Sequence, residues 1–458
     1  MLKKRNFLLT LSLSIVTLIS SSTYLPIVQA ADNSTAKKIY RLQGANRFQT
    51  STAIAKQVND STTLENVVLT SGYDFPDGLS GSTLAKQLNA PLLMAGNLSD
   101  SQEAFSYIST HLKQNGNVYI LGGTSAVGQD TEDALKLKGY TVNRIWGKDR
   151  IGTNCSVIDN LNVQEGTPVF IANAYGFADA LSASSVASIN GYPILLTDSA
   201  SMSSSITEKL SKIKPSAVYI AGGTGVVSNS IEDSIKTLLP SSTVKRLSGN
   251  NRYDTSMAIF NFFNLNTNNI ILASGKDFPD ALCGSQLAAS LNCSMVLADE
   301  NNLYAQQSQY YKKSIQNFYL LGGTGAISTN VDSAINFDEL AEISQIKAAY
   351  TSLDQSIVTK DISKLLPLVD PNSAFYAAAQ NYISLLNSNT GNTITSCTSD
   401  SFDFTFTDST NASVGSVENI VYVNNKTSQI TTKKLSLVTN IKKIDGKWYI
   451  ENITIKLQ

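Results

Sequence analysis

Cysteine is scarce in this chain. Cys155, Cys283, Cys293 and Cys397 are the only four in 458 residues, and they keep no regular spacing. A disulfide framework needs a denser, more regular set, so these read as small apolar residues. Histidine is scarcer still. His111 stands alone and no cysteine pair has metal-ligand spacing, which excludes the usual zinc constellations and leaves no metal or cofactor implied. Long apolar runs are also missing: no segment has eighteen unbroken apolar residues, so no membrane span is expected. Finally, neither charge sign dominates, with 35 Lys and Arg against 36 Asp and Glu. That excludes a global basic field for nucleic acid, and any anion binding must be local.

The first thirty residues read as a cleaved secretory signal. Lys3, Lys4 and Arg5 give a basic start, Phe7 to Ser20 an apolar core, and Val28-Gln29-Ala30 a small-residue cleavage site. Without that segment the chain keeps 32 basic against 36 acidic residues. A secreted product at the cell surface is expected.

What the sequence has in abundance is repetition. FPDGLSG (Phe75 to Gly81) returns as FADALSA (Phe177 to Ala183) and FPDALCG (Phe278 to Gly284), placing Asp77, Asp179 and Asp280 at steps of 102 and 101 residues. RLQGANRF (Arg41 to Phe48) is echoed by RIWGKDRI (Arg144 to Ile151) and RLSGNNRY (Arg246 to Tyr253). Gly-Gly-Thr begins at residues 122, 222 and 322. One unit of about 100 residues is therefore written three times.

Within the first copy, short apolar strands are expected at Tyr40 to Leu42, Val67 to Thr70, Pro91 to Ala95 and Val118 to Leu121. Helical spacing predicts helices at Thr50 to Val58 (Thr50 as a cap), from Pro76, at Ser101 to Lys113 and at Thr131 to Lys138. Alternating strands and helices argue for parallel-sheet α/β modules. The strands Thr141 to Ile145 and Thr243 to Leu247 can close one module or open the next. No matching strand follows Ile335, which favours opening. The boundaries then read 38–140, 141–242 and 243–338.

Beyond Asn336 the pattern changes. Helical periodicity over Ile343 to Val358, Ile362 to Leu366 and Ala374 to Leu386 gives way to alternation from Thr393, with Asp445-Gly446 as a hairpin turn. Helices followed by an antiparallel meander predict a separate α+β domain over 343–458.

Arg47, Arg150 and Arg252 recur in a Gly-x-x-Arg turn before a helix. Such an arginine can grip a carboxylate or phosphate as a fork, or pair internally with Asp77, Asp179 and Asp280 to fix module geometry. The aspartates fall in the first turn of a helix, where the dipole favours them without any function, and they lack a partner for acid–base catalysis. Gly122-Gly123, Gly222-Gly223 and Gly322-Gly323 lack the ending of a P-loop, and a tight strand-to-helix turn explains them. Lys426, Lys433, Lys434, Lys442, Lys443 and Lys447 crowd the last strands, where they could meet a wall polymer, but solvated sheet edges commonly carry lysine and that reading is favoured.

Taken together, R-x-x-G-x-x-R-[FIY], S-G-x-x-F-P-D-A-L, P-I-L-L and Y-I-L-G-G-T-G-x-V resemble the clostridial cell wall-binding repeat, type 2, over residues 38–340. The resemblance implies three modules in pseudo-threefold array that attach a secreted protein non-covalently to anionic, teichoic-acid-like polymers of a Gram-positive wall. Other surface-layer proteins are implied as further partners. It also links the P-I-L-L motif to polymer binding, here Pro91, Leu92 and Leu93, and Pro193, Ile194, Leu195 and Leu196. The third copy departs with Ser294-Met295-Val296-Leu297, and the second with Ala174-Tyr175-Gly176 in place of the Ser-Gly pair. The last domain resembles the nuclear transport factor 2-like cone in its order of elements and its ending IDGKWYI. The expected protein is a wall anchor and not an enzyme. Rival readings are a surface enzyme using the cone, with Asp403 or Tyr376 as candidates, and a structural array protein.

Overall fold

The computed structural model describes residues 37–456, apart from 60–62, 266, 300–302, 304, 305, 307, 308, 311, 312, 314, 389, 390 and 408. The expected signal segment lies outside the described residues. The chain divides into two compact units, with the boundary between Ile335 and Asn336. No helix among the described residues is long and apolar enough to cross a membrane.

The first unit holds three four-stranded parallel sheets. Strands β2 (Leu64–Ser71), β3 (Leu92–Ala95), β4 (Leu112–Leu121) and β5 (Thr141–Ile145) form the first, in the order β3-β2-β4-β5. Strands β6 (Val169–Asn173), β7 (Ile194–Thr197), β8 (Ala217–Ala221) and β9 (Thr243–Leu247) repeat it as β7-β6-β8-β9. The third uses β10 (Asn269–Ser274), β11 (Met295–Ala298) and β12 (Asn317–Leu321), and borrows β1 (Lys38–Leu42) from the start of the chain. The order is again the same, with β1 beside β12 in parallel register from Lys38–Asn317 to Leu42–Leu321.

This corrects the expectation that Thr141 to Ile145 and Thr243 to Leu247 open their modules. Both close the preceding sheet, Thr141 pairing with Asn117 and Thr243 with Ala217. The missing fourth strand after Ile335 is supplied by β1, so sequence repeat and sheet are out of phase by one strand. Closing the ring this way leaves no unpaired edge on β12. The link is reinforced by Arg41, whose guanidinium donates to the Ile327 carbonyl at 2.9 Å and to Asp332 at 2.8 Å. Arg144 and Arg246 do the same within their own sheets, reaching Glu132 and Glu232.

Three helices meet where the modules join: Gly81–Gln87, Phe177–Asn190 and Pro279–Leu291. Small residues permit the close approach. Ala180, Ala183 and Ala187 meet Ala281, Leu282 and Leu287 in one buried cluster. Ser188 donates to the Ser82 carbonyl across the junction at 3.1 Å. The first helix starts earlier than expected, at Arg47, and Asn46 caps it instead of Thr50.

The second unit follows the expected order of helices and then strands. Helices Glu339–Thr359, Ile362–Leu365 and Ala374–Ser388 precede a meander of β13 (Asn392–Phe406), β14 (Asn411–Asn424), β15 (Ile430–Ile444) and β16 (Lys447–Lys456). Buried under that sheet, the Glu342 carboxylate accepts from Lys443 Nζ at 2.5 Å and from the Trp448 indole N–H at 2.6 Å.

Candidate functional site at the module seams

The loop after each second strand carries the recurring phenylalanine, and the three rings meet at the junction. Phe75 lies 5.8 Å from both Phe177 and Phe278, and Phe177 lies 6.4 Å from Phe278, centroid to centroid. Each arginine lies across a seam, over the ring of the module before it. Arg150 sits 5.9 Å from Phe75, Arg252 5.3 Å from Phe177, and Arg47 5.8 Å from Phe278. Cation–π contact of this kind holds a guanidinium in place while leaving its N–H groups available.

One N–H of each arginine is fixed by its own module. Nη1 of Arg47, Arg150 and Arg252 donates to the carbonyls of Gly72, Ala174 and Gly275, at 2.7, 3.0 and 2.5 Å. At two seams Nη2 faces a carboxylate of the neighbouring module. Arg47 lies 3.6 Å from Asp277, and Arg150 lies 3.7 Å from Asp74. The expected pairing with Asp77, Asp179 and Asp280 is corrected here: among the described residues none of these lies in an ion pair with the three arginines. The ion pairs go to Asp74 and Asp277, three residues before Asp77 and Asp280, because the helical aspartates are occupied elsewhere.

Those aspartates tie two modules together. A Cβ built at Gly122, Gly222 or Gly322 would lie 2.3, 2.6 or 2.2 Å from an Oδ2 of Asp77, Asp179 or Asp280. These glycines also have φ of +104°, +111° and +94°, so the turn requires glycine twice over. From the next module, Thr153, Thr255 and Thr50 hydrogen-bond to Asp77, Asp179 and Asp280. Each threonine hydroxyl in turn accepts from the N–H of Gly147, Gly249 or Gly44. Burial raises the pKa of all three carboxyls, with the threonine bond opposing it. At Asp280 the value is pushed up to about 6 by burial and by Asp277 nearby. Gly123, Gly223 and Gly323 need no special backbone angle.

The remaining expected residues fall in the core. Pro91, Leu92 and Leu93, and Pro193, Ile194, Leu195 and Leu196, are all buried at the edge strands of their sheets. Their backbones are satisfied by helix side chains. Leu92 N–H donates to Gln286 of the third module at 2.6 Å, and Asn154 brackets Ile194 and Leu196 at 2.8 and 3.0 Å. In the second unit, Lys443 and Lys447 are engaged by Glu342 and the Pro367 carbonyl. A small apolar pocket there, about 10 Å³, is lined by Ile346, Tyr350, Leu368, Ile441, Trp448 and Ile450, and includes neither Asp403 nor Tyr376.

Sequence reasoning gave the phenylalanines no role, and of the seam threonines it noted only Thr50, as a helix cap. Both recur three times, and that spacing was the available signal. Asp74 and Asp277 recur only twice and gave none.

The model of the family described as Cell wall binding domain 2 matches residues 41–132, 144–232 and 246–332. Among curated relatives, N-acetylmuramoyl-L-alanine amidase LytC of Bacillus subtilis (strain 168) is 33% identical over 331 residues, 72% of this chain and 63% of the relative. The amidase enhancer of the same organism is 29% identical over 64% of this chain and 40% of its own length. The chain thus spans less than two thirds of either relative. Among solved structures, Cwp8 from Clostridium difficile has a TM-score of 0.60 at 28% identity, covering 64% of this chain and 51% of that one. Cwp6 from the same organism has a TM-score of 0.60 at 26% identity, covering 70% and 50%. The expectation of a non-enzyme is corrected here: a relative matching 72% of the chain at 33% identity is an amidase.

Proposed function

The chain belongs to the Cell wall binding domain 2 family, and from that membership we propose that it attaches non-covalently to anionic polymer of a Gram-positive wall. Three sequence repeats, bounded near 38–140, 141–242 and 243–338 and offset by one strand from the three sheets, form the anchor and display residues 343–458. Residues 1–30 direct secretion, and teichoic-acid-like polymer is the ligand class. Other surface-layer proteins are neighbours in the same setting.

The observation that carries this reading is the ring of Arg47, Arg150 and Arg252 over the phenylalanine cluster. It offers guanidinium forks on an otherwise slightly acidic protein, which suits a repeating anion. The P-I-L-L residues contribute indirectly, by holding the edge strands whose helices carry the seams. The test is co-sedimentation of the full chain with native walls and with walls stripped of anionic polymer. Wild type is expected to pellet only with native walls and to be released as salt rises. A folded R47Q/R150Q/R252Q variant is expected in the supernatant. Undiminished pelleting of that variant would remove the arginines from the site.

The names of both curated relatives favour a second reading, in which the chain also acts in wall hydrolysis. Loss of turbidity when native walls are incubated with the full chain, alone and with an added amidase, measures it directly.

A further inference from the structure

The three seams are not equivalent. Where the first and third modules present Asp74 and Asp277 to an arginine, the second presents Gly176. Among the described residues, no carboxylate lies within ion-pair distance of Arg252. A Cβ built at Gly176 meets nothing within 4 Å, so the place that a carboxylate fills at the other seams is open. Arg252 is nevertheless held as firmly as its counterparts, by the Gly275 carbonyl at 2.5 Å and the Phe177 ring at 5.3 Å. It is exposed, whereas Arg47 and Arg150 are half-buried.

Resting on the anchor reading, we propose that the ring takes one anion per chain, at the seam between the second and third modules, with Arg252 as its seat. The other two seams carry their own carboxylates as built-in occupants. What fits the open seat is a singly charged group with two terminal oxygens, as those carboxylates have. The repeating phosphodiester of a wall polymer has that form. Asp74 and Asp277 are then self-blocking groups that limit the three-seam ring to a single site. A guanidinium–anion pair of this kind is expected to contribute about tenfold or more in affinity.

Titration calorimetry of the full chain with a poly(glycerol phosphate) oligomer tests this. Wild type is expected to show one site. R252Q should weaken it about tenfold, a larger loss than either R47Q or R150Q causes. G176D should weaken binding as much as R252Q. Its backbone (φ −131°, ψ 127°) is ordinary for aspartate, so an unchanged melting curve should accompany the loss. D74G should add a second site. Equal losses from all three arginine variants, or an unaffected G176D, overturn the proposal. Failure of wild type to bind the oligomer while it still pellets with native walls overturns the phosphodiester seat and leaves the anchor reading standing. Failure on native walls removes both.

Discussion

Each unit holds a carboxylate away from solvent, fully buried at Glu342 and half-buried at Asp280, and the two examples are satisfied differently. In residues 35–335, Asp280 is met by the Thr50 hydroxyl from another module and lies against Gly322. In residues 336–458, Glu342 is met by the Lys443 ammonium and the Trp448 indole N–H. The first arrangement occurs three times and joins modules. The second fixes a helix to its own sheet, and within the repeats Glu132 is likewise met by cations, Lys136 and Arg144. Neutral donors leave a buried carboxyl with a raised pKa, whereas a cation compensates it directly. At the helical aspartate the repeat unit uses a hydroxyl in place of a cation, while Arg47, Arg150 and Arg252 bond to the carbonyls of Gly72, Ala174 and Gly275.

The sharpest way to break the comparison is to remove the strand that closes the ring. Deleting residues 32–43 takes away β1, the Arg41 contacts to Ile327 and Asp332, and the bond from Gly322 N–H to the Leu42 carbonyl. The main calorimetric transition should fall by on the order of 10 °C, as expected for several kcal/mol lost from a domain of this size. The transition of residues 336–458 should stay where it was. A single common shift of both transitions would mean that the two units do not melt separately.

A smaller effect, confined to the other unit, is expected from Glu342→Ala. It leaves the Lys443 ammonium and the Trp448 N–H without their acceptor, at a cost of about 3–5 kcal/mol. Denaturation followed by Trp448 fluorescence should show the loss, provided Trp146 is first replaced by Phe. Wall binding should be unchanged.

How much of this was legible depended on what repeats. Three copies of F-x-D, R-x-x-G-x-x-R and G-G-T marked the strands and turns that build the seams. Ring closure was not legible, because β1 pairs with β12 across nearly 280 residues and an apolar pattern does not name its partner. The same blindness made Thr141 to Ile145 look like the start of a module. In the second unit, alternation and Asp445-Gly446 sufficed. Those two residues have φ of +48° and +80°, as a two-residue hairpin turn requires. The P-I-L-L strands were readable as buried from their apolar runs, whereas nothing in the repeats told that Arg252 is exposed and Arg47 and Arg150 are half-buried. Asp74 and Asp277 were invisible, since a residue present in two copies of three does not stand out, yet that same irregularity distinguishes the open seam.

The finest test of the comparison is its pH dependence. Asp280 has its pKa raised by burial to about 6 in the fold, above the ordinary 3.8. The folded state then holds a proton that the unfolded chain releases, so this carboxyl's contribution is fully present below pH 3.8 and is lost as pH rises through about 6. Paired carboxyls such as Glu132 and Glu232, whose pKa values are lowered in the fold, act in the opposite sense. A raw stability curve therefore mixes the two, and the difference between variants is what isolates the seam. Asp280→Asn carries the uncharged form at every pH. Relative to wild type it should be nearly neutral at pH 4 and gain about 1–2 kcal/mol by pH 7.5. Urea melts at the two pH values measure that difference. A gap that is constant with pH would place the charged carboxylate, rather than its protonated form, in the Thr50 and Gly322 contacts, and the seam would then resemble the Glu342 site after all.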